Sequence, residues 1–153
     1  MARTDKASLL IHADPSVVFG ALTDRVALET WLPPTGMHGN FEHFDMRSGG
    51  SYRLVLSYDD PSGSPGKSSA DTDVAEVRII ALDQDVRVVQ EVDFDSEDPA
   101  FAGTMEMEWR LLPDGDGTIV EIIARNVPEG VRARDHAEGI ASSLVNLAAY
   151  LEP

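Results

Sequence analysis

The sequence contains no cysteine among its 153 residues. This absence excludes disulfide bonds, a thiol nucleophile, zinc sites built on thiolates, and iron–sulfur clusters. The composition is otherwise ordinary, with 42% hydrophobic and 25% charged residues, as in most globular proteins. A chain of this length buries roughly 70% of its unfolded surface on folding, so one core is sufficient. We therefore expect a single domain over residues 1–153.

Basic residues are scarce. Lys and Arg number 12 against 27 Asp and Glu, which gives a formal net charge of −15 at pH 7. Such a charge repels phosphate backbones and anionic lipid surfaces, so we expect no nucleic-acid partner. The acidity is typical of a well-solvated surface, and an acidic face that binds a basic partner is the alternative.

Long apolar runs are also missing. No segment approaches the roughly 20 consecutive apolar residues that cross a bilayer. The opening residues, MARTDK, do not lead into the apolar region of a signal peptide. We therefore expect no membrane insertion and a cytoplasmic protein.

Short motifs for cofactors and metals are incomplete. Gly66-Lys67-Ser68 has the form of the end of a phosphate-binding loop, but Pro61 replaces the glycine that this loop requires. The run Asp114-Gly115-Asp116-Gly117 lacks the further ligands of a calcium loop and instead suits a hairpin turn. The four histidines include no pair at the spacing of a preformed metal site. We expect neither a metal nor another cofactor.

Hydrophobic periodicity divides the chain into helices and strands. A strand is predicted over residues 7–12, then a helix from Asp14-Pro15. A second short helix is predicted over Arg25–Trp31, with Asp24 as its cap and Pro33-Pro34 as its stop. Period-two alternation predicts further strands from Gly39 to the Gly49-Gly50 turn and over residues 52–58, 74–82, 86–95, 103–112 and 118–125. Residues 59–73 are predicted to form a polar, mobile loop, and residues 113–117 a hairpin turn.

A long helix over residues 131–151 ends the chain. Its apolar residues recur at spacings of three and four: Ala137, Ile140, Ala141, Leu144, Ala148 and Leu151. The order of the predicted elements indicates an α+β fold: one strand, two short helices, about six antiparallel strands and then a long helix. In this fold the long helix covers one face of the sheet.

The two faces of the predicted sheet differ in character. One face carries carboxylates at alternate positions: Glu91, Asp93, Asp95, Glu106 and Glu108. The other carries large residues: Tyr52, Tyr58, Phe94, Met105, Met107 and Trp109. The long helix would oppose them with mainly small residues: Ala137, Gly139, Ala141, Ser142 and Ala148. We predict a solvated acidic outer face, and an inner face that either packs into a dry core or lines an apolar pocket.

Several motifs, each weak alone, occur in a fairly specific order along nearly the whole chain. They are Ala13-Asp14-Pro15, Val18-Phe19, Ala21-Leu22-Thr23-Asp24, Trp31-Leu32-Pro33-Pro34, residues 44–53 (FDMRSGGSYR), Gly117-Thr118, Val127-Pro128, and Asp135-His136 with Gly139 and Ser143-Leu144. In these motifs the chain resembles START-like, helix-grip domains of the SRPBCC superfamily, and within it homologues of the activator of the heat-shock-chaperone ATPase. The resemblance implies a curved antiparallel sheet of about seven strands wrapped around the C-terminal helix, with a cavity between them.

Superfamily members bind lipids, sterols, polyketides or other hydrophobic molecules in that cavity. We therefore predict non-enzymatic binding of a small hydrophobic ligand, lipid-like or polyketide-like. The residues predicted to line the site are Trp31, Tyr52, Met107, Trp109, His136 and Ile140. The aromatic rings and the methionine would supply apolar contact, and His136 or the Tyr52 hydroxyl would orient one polar group. Ile140 stands where many relatives have tryptophan, which leaves space near the middle of the helix.

Two other functions are left open. A few superfamily members are cyclases or hydrolases, and such a reaction needs a general base in the same cavity, for which His136 is the candidate. The acidic surface and the family resemblance also suggest an interaction protein, either a homodimer subunit or a co-chaperone. The co-chaperone hypothesis is the weaker of these two, because the separate N-terminal domain of the eukaryotic co-chaperone has no counterpart in these residues.

Overall fold

A computed structural model describes residues 3–33, 36–58, 72–94 and 98–152. The predictions for Pro34, for the loop over residues 59–71 and for Asp95 lie outside the described residues. The elements are β1 (Arg3–Ile11), α1 (Pro15–Thr23), α2 (Arg25–Trp31), β2 (Met37–Phe44), β3 (Ser51–Tyr58), β4 (Thr72–Asp83), β5 (Arg87–Phe94), a 3-10 turn (Pro99–Phe101), β6 (Thr104–Asp114), β7 (Gly117–Val127) and α3 (Ala133–Leu151).

All seven strands belong to one antiparallel sheet in the order β1-β7-β6-β5-β4-β3-β2. Strands that are consecutive in sequence are neighbours from β2 to β7, whereas β1 pairs with β7. The two short helices therefore lie in the connection that takes the chain from one edge of the sheet to the other. The sheet curves around α3, and residues from both layers form a single core. The α+β helix-grip fold is confirmed.

The hairpin between β6 and β7 is tighter than the sequence suggested. Asp114 pairs with Gly117, so the turn itself consists of Gly115 and Asp116. Gly115 has a φ of 59°, a left-handed conformation that two-residue hairpin turns need and that glycine adopts without strain. Both strands consequently extend beyond their predicted ends, into residues that we had assigned to the turn.

The two short helices begin at aspartates, but only one carboxylate acts as a cap. Asp24 accepts a hydrogen bond from the backbone N–H of Ala27 at 2.9 Å, as expected of an N-cap residue. Asp14 stands at the N-cap position of α1, yet its side chain makes no capping hydrogen bond. Pro15 follows it at the start of α1, where its missing N–H costs nothing.

The buried face of α3 only partly matches the predicted one: Ile140 and Leu144 belong to the predicted stripe, whereas Leu147 does not. Its buried residues are Ile140, Leu144 and Leu147. Small residues that we expected to face the sheet are exposed instead: Ala137, Gly139, Ala141 and Ser142. Large side chains gain most from burial, so the leucines and isoleucine decide which face turns inward. Within the described ranges, no helix is long and apolar enough to cross a bilayer.

Candidate functional site

The helix α2 positions an indole ring over the sheet. It buries Leu28 and Trp31 on the same side. The Nε1 of Trp31 donates a hydrogen bond to the backbone carbonyl of Ala21 in α1, at 2.9 Å. A buried indole N–H needs such an acceptor, so this bond fixes the ring orientation and joins the two short helices.

The sheet supplies a second tryptophan to the same place. Trp109 lies on β6, and its ring meets that of Trp31 edge-to-face, with centroids 5.7 Å apart and planes at 77°. Both rings are buried. The chain has no other tryptophan, so its intrinsic tryptophan fluorescence reports on this contact.

A polar pair lies beside the two indoles. The Nε2 of Gln90 on β5 donates a hydrogen bond to the Oη of Tyr52 on β3, at 3.3 Å. Tyr52 is 4% exposed and Gln90 is 7% exposed. Burial raises the pKa of Tyr52 to about 12, although the hydrogen bond from Gln90 opposes the shift. The phenol therefore stays neutral at physiological pH and serves as a hydrogen-bonding group.

These four side chains enclose a small cavity of about 20 Å³. Its remaining described lining is aliphatic: Leu22, Leu28, Leu32 and Val88. This volume holds about one water molecule, whereas pockets for drug-sized ligands measure roughly 300 Å³ or more. In this conformation the cavity is therefore too small for such a ligand.

Two open clefts border the cavity. One, of about 600 Å³, follows α3 between Asp135 and Asn146 and is also lined by Leu32. The other, of about 390 Å³, lies between the end of α2 and the C-terminal part of α3, and Trp31 lines it. Leu32 and Trp31 also line the cavity. The cavity therefore shares one of these two consecutive residues with each cleft.

The structure brings together half of the residues predicted to form the site. Trp31, Tyr52 and Trp109 line the cavity. Ile140 is buried in the inward face of α3, and Met107 is partly buried against the core, but neither lines the cavity. His136 lies elsewhere, at the start of α3. Contact of any of these residues with a ligand stays a prediction.

His136 belongs to an ionic cluster that joins β1 to α3. Its Nδ1 lies 2.7 Å from a carboxylate oxygen of Asp5. Arg3 donates two hydrogen bonds to the same carboxylate, at 2.9 and 3.0 Å, and a third to the carbonyl of Val131 at 2.6 Å. Hydrogen bonding from Arg3 lowers the pKa of Asp5 against the effect of burial, and His136 adds to the shift. The cluster anchors the start of α3 to the edge strand.

Glu108, on the outer face of the sheet, is not solvated as its position suggested. It is 4% exposed. Arg110 and Arg125 each donate a hydrogen bond to its carboxylate at 3.2 Å, and Arg87 lies 3.8 Å away. Burial alone would raise the pKa of Glu108, but Arg110 and Arg125 outweigh it and hold the pKa below its ordinary value. The prediction of a fully solvated acidic face is wrong at this residue, because long arginine side chains cover it.

Sequence reasoning missed Gln90. It occupies an inward position of β5, two residues from Val88 and two from Val92, which are both buried. A single amide on an otherwise apolar strand face is the signal that would have found it, since a buried amide must have hydrogen-bond partners. Within the described ranges, no three histidines or carboxylates are grouped so as to hold a metal ion.

Comparisons with solved structures support the fold. The chain is similar to protein CV1439 from Chromobacterium violaceum, with 26% identity and a TM-score of 0.84 over 98% of this chain and 97% of that one. It is also similar to Mll3558 from Rhizobium loti, with 24% identity and a TM-score of 0.75 over 99% and 98%. DynU16, from the dynemicin biosynthetic locus, shares the fold at 17% identity, with a TM-score of 0.71 over 97% of this chain and 47% of that one.

No curated protein matches the sequence significantly. The family model for Activator of Hsp90 ATPase homolog 1-like proteins matches residues 12–152. This span runs from the end of β1 to the end of α3 and includes every residue that lines the cavity. The resemblance drawn from the sequence motifs is thereby confirmed, and the chain belongs to the Activator of Hsp90 ATPase homolog 1-like family.

Proposed function

We propose that this protein binds a small, largely apolar molecule, lipid-like or polyketide-like, between α2 and the sheet, without catalysing a reaction. The observation that carries the proposal is the cavity between Trp31 and Trp109, whose apolar wall is interrupted by the Tyr52–Gln90 pair. Apolar sites with a few placed polar groups are typical of ligand pockets. The presence of a protein of this fold in the dynemicin biosynthetic locus adds support for a small-molecule ligand.

The chemistry of the cavity favours binding over catalysis. Tyr52 is the titratable group among the described residues that line it, and a pKa of about 12 makes it a poor general base near pH 7. His136, the histidine that the sequence suggested as a general base, is paired with Asp5 and does not line the cavity. A cyclase or hydrolase would need such a group beside the bound molecule.

Entry of a ligand requires the cavity to open. Leu32 is the C-cap residue that follows α2, and its backbone N–H bonds to the carbonyl of Leu28. Rotation of the Leu32 side chain would join the cavity to the 600 Å³ cleft without unfolding the helix. The ligand would then displace leucine–tryptophan contacts and gain the burial of its own apolar surface.

Replacement of Leu32 by alanine is expected to tighten the binding of an apolar ligand about tenfold, because the opening is then already present. Val88→Leu should have the opposite effect, since one additional methylene occupies the small cavity. Leu112→Ala, at an exposed leucine near the end of β6, is the matched control. The measurement is a fluorescence titration with N-phenyl-1-naphthylamine, a neutral apolar probe.

The proposal is contradicted if the probe binds none of the variants, or if Leu32→Ala and Leu112→Ala change its affinity equally. Native mass spectrometry of the freshly purified protein provides an independent measurement. A discrete apolar compound that leaves on denaturation is the expected result. A clean apo mass together with no probe binding would favour the interaction-protein hypothesis instead.

A further inference from the structure

The polar groups on the cavity wall are mainly hydrogen-bond donors. The indole N–H of Trp31 is used by the carbonyl of Ala21. Among the described residues, the side chain of Trp109 has no hydrogen-bond partner, and Tyr52 has Gln90 as its single one. Because the Gln90 amide donates to the Tyr52 oxygen, the hydroxyl hydrogen of Tyr52 is not used in that bond and is available to a ligand, as is the indole hydrogen of Trp109.

The free donor of Trp109 borders open space. In the described part of the chain, no side-chain nitrogen or oxygen is both fully buried and without a partner. The unpaired Nε1 of Trp109 must therefore have accessible surface, although the residue as a whole is buried. Trp109 and Tyr52 both line the cavity, so a molecule placed there meets donors that need an acceptor.

The surrounding charge restricts which acceptor fits. The chain has a formal net charge of −15. Asp135 and Glu138 line the larger cleft, the proposed entry route, which shares Leu32 with the cavity. No lysine or arginine is among the described residues that line the cavity. A carboxylate would thus approach against like charge and find no cation, whereas a neutral carbonyl would meet neither obstacle.

We propose that the occupant of this site is a neutral molecule with a carbonyl oxygen on an apolar skeleton, and that the Tyr52 hydroxyl and the Trp109 indole donate to that oxygen. This inference rests on the proposed binding function and names the ligand class. It selects ketones and esters over hydrocarbons and over free carboxylic acids. The raised pKa of Tyr52 keeps its proton available for donation across the physiological range.

A matched pair of probes tests this inference. 1-Indanone and indane have almost the same shape and differ by one carbonyl group. Their dissociation constants are to be measured by NMR titration of the two indole N–H signals. The protein used is Leu32→Ala, in which we expect the cavity to be open. We expect 1-indanone to bind about tenfold more tightly than indane, the usual scale for one buried hydrogen bond. Tyr52→Phe should remove most of this preference and leave the affinity for indane unchanged.

Tyr58→Phe on the same strand is the control and should keep the preference. If Tyr52→Phe does not fold because Gln90 loses its partner, Tyr52→Phe/Gln90→Leu removes both polar groups and should show the same loss. Equal affinity for the two probes, or tighter binding of indane-1-carboxylate, would overturn the neutral-carbonyl assignment while apolar binding stands. Failure of all three probes to bind would overturn the binding function as well.

Discussion

Replacement of Leu144 by alanine is expected to lower the free energy of unfolding by about 3 kcal/mol, the usual cost of removing a buried leucine side chain. Leu144 is 1% exposed and lies in the middle of the inward face of α3. The sheet curves around this helix, so a void here removes contacts from both layers of the core. The measurement is chemical denaturation, with unfolding monitored by circular dichroism.

Val145 provides the matched control for this experiment. It is the next residue in the same helix, but it is 58% exposed. Val145→Ala should change stability by no more than about 0.5 kcal/mol, as is usual for surface substitutions. A similar loss in both variants would contradict the assignment of the buried face.

Removal of the two arginines that bond to Glu108 is expected to destabilise the protein by about 2 kcal/mol at pH 7. Arg110→Ala/Arg125→Ala leaves a buried carboxylate without its hydrogen-bond donors. Breaking a fully buried ion pair costs roughly 3–5 kcal/mol. We expect less here, because Arg87 stays nearby and the arginines are themselves partly exposed.

The pH dependence of this loss has a definite sign. In the native protein Glu108 has a lowered pKa, so its stabilising contribution is present above the ordinary value of about 4.3 and is lost as pH falls through the folded value. Without Arg110 and Arg125, burial dominates and raises the pKa of Glu108. The free energy of unfolding of the variant is then lowered at neutral pH, where Glu108 is charged, and rises again as the pH falls and Glu108 becomes protonated. The stability difference between the two proteins should therefore narrow from pH 7 towards pH 4.

Two further variants make the arginine experiment specific. Glu108→Leu in the double-arginine background should restore most of the lost stability, because leucine needs no hydrogen-bond partner in a buried position. Arg47→Ala removes an exposed ion pair with Asp45 and should change stability by less than about 1 kcal/mol. If the stability loss of the double arginine variant does not depend on pH and is not reversed by Glu108→Leu, then Glu108 is not a buried carboxylate paired with these arginines.

The small size of the cavity bears on both the ligand-free protein and the proposed binding. A volume of about 20 Å³ allows the core to remain well packed when no ligand is bound. The two adjoining clefts provide an open surface on which an apolar molecule can first settle. In the proposed binding, the ligand displaces the side chains of Trp31 and Leu32.

Much of the architecture follows from local sequence patterns. Period-two alternation identified the strands, and Asp24 marked the start of α2, because alternation and capping depend on neighbouring residues. The sequence also placed Tyr52 and Trp109 on the inward face of the sheet, and the family resemblance added Trp31 of α2 to the predicted site. Large aromatic side chains at inward positions of a sheet are usually buried in the core.

The tertiary structure decided what local patterns leave open. Two overlapping stripes on α3 share Ile140 and Leu144, and only packing against the curved sheet buries Leu147 beside them and leaves Ala137 and Ala141 exposed. The burial of Glu108 depends on arginines from neighbouring strands and from its own, which no alternation rule brings together. Gln90 entered the candidate site because strand register places it beside Tyr52. The sequence thus determined the elements and most of their inward faces, whereas long-range contacts decided which polar groups became buried, because burial depends on neighbours distant in the chain.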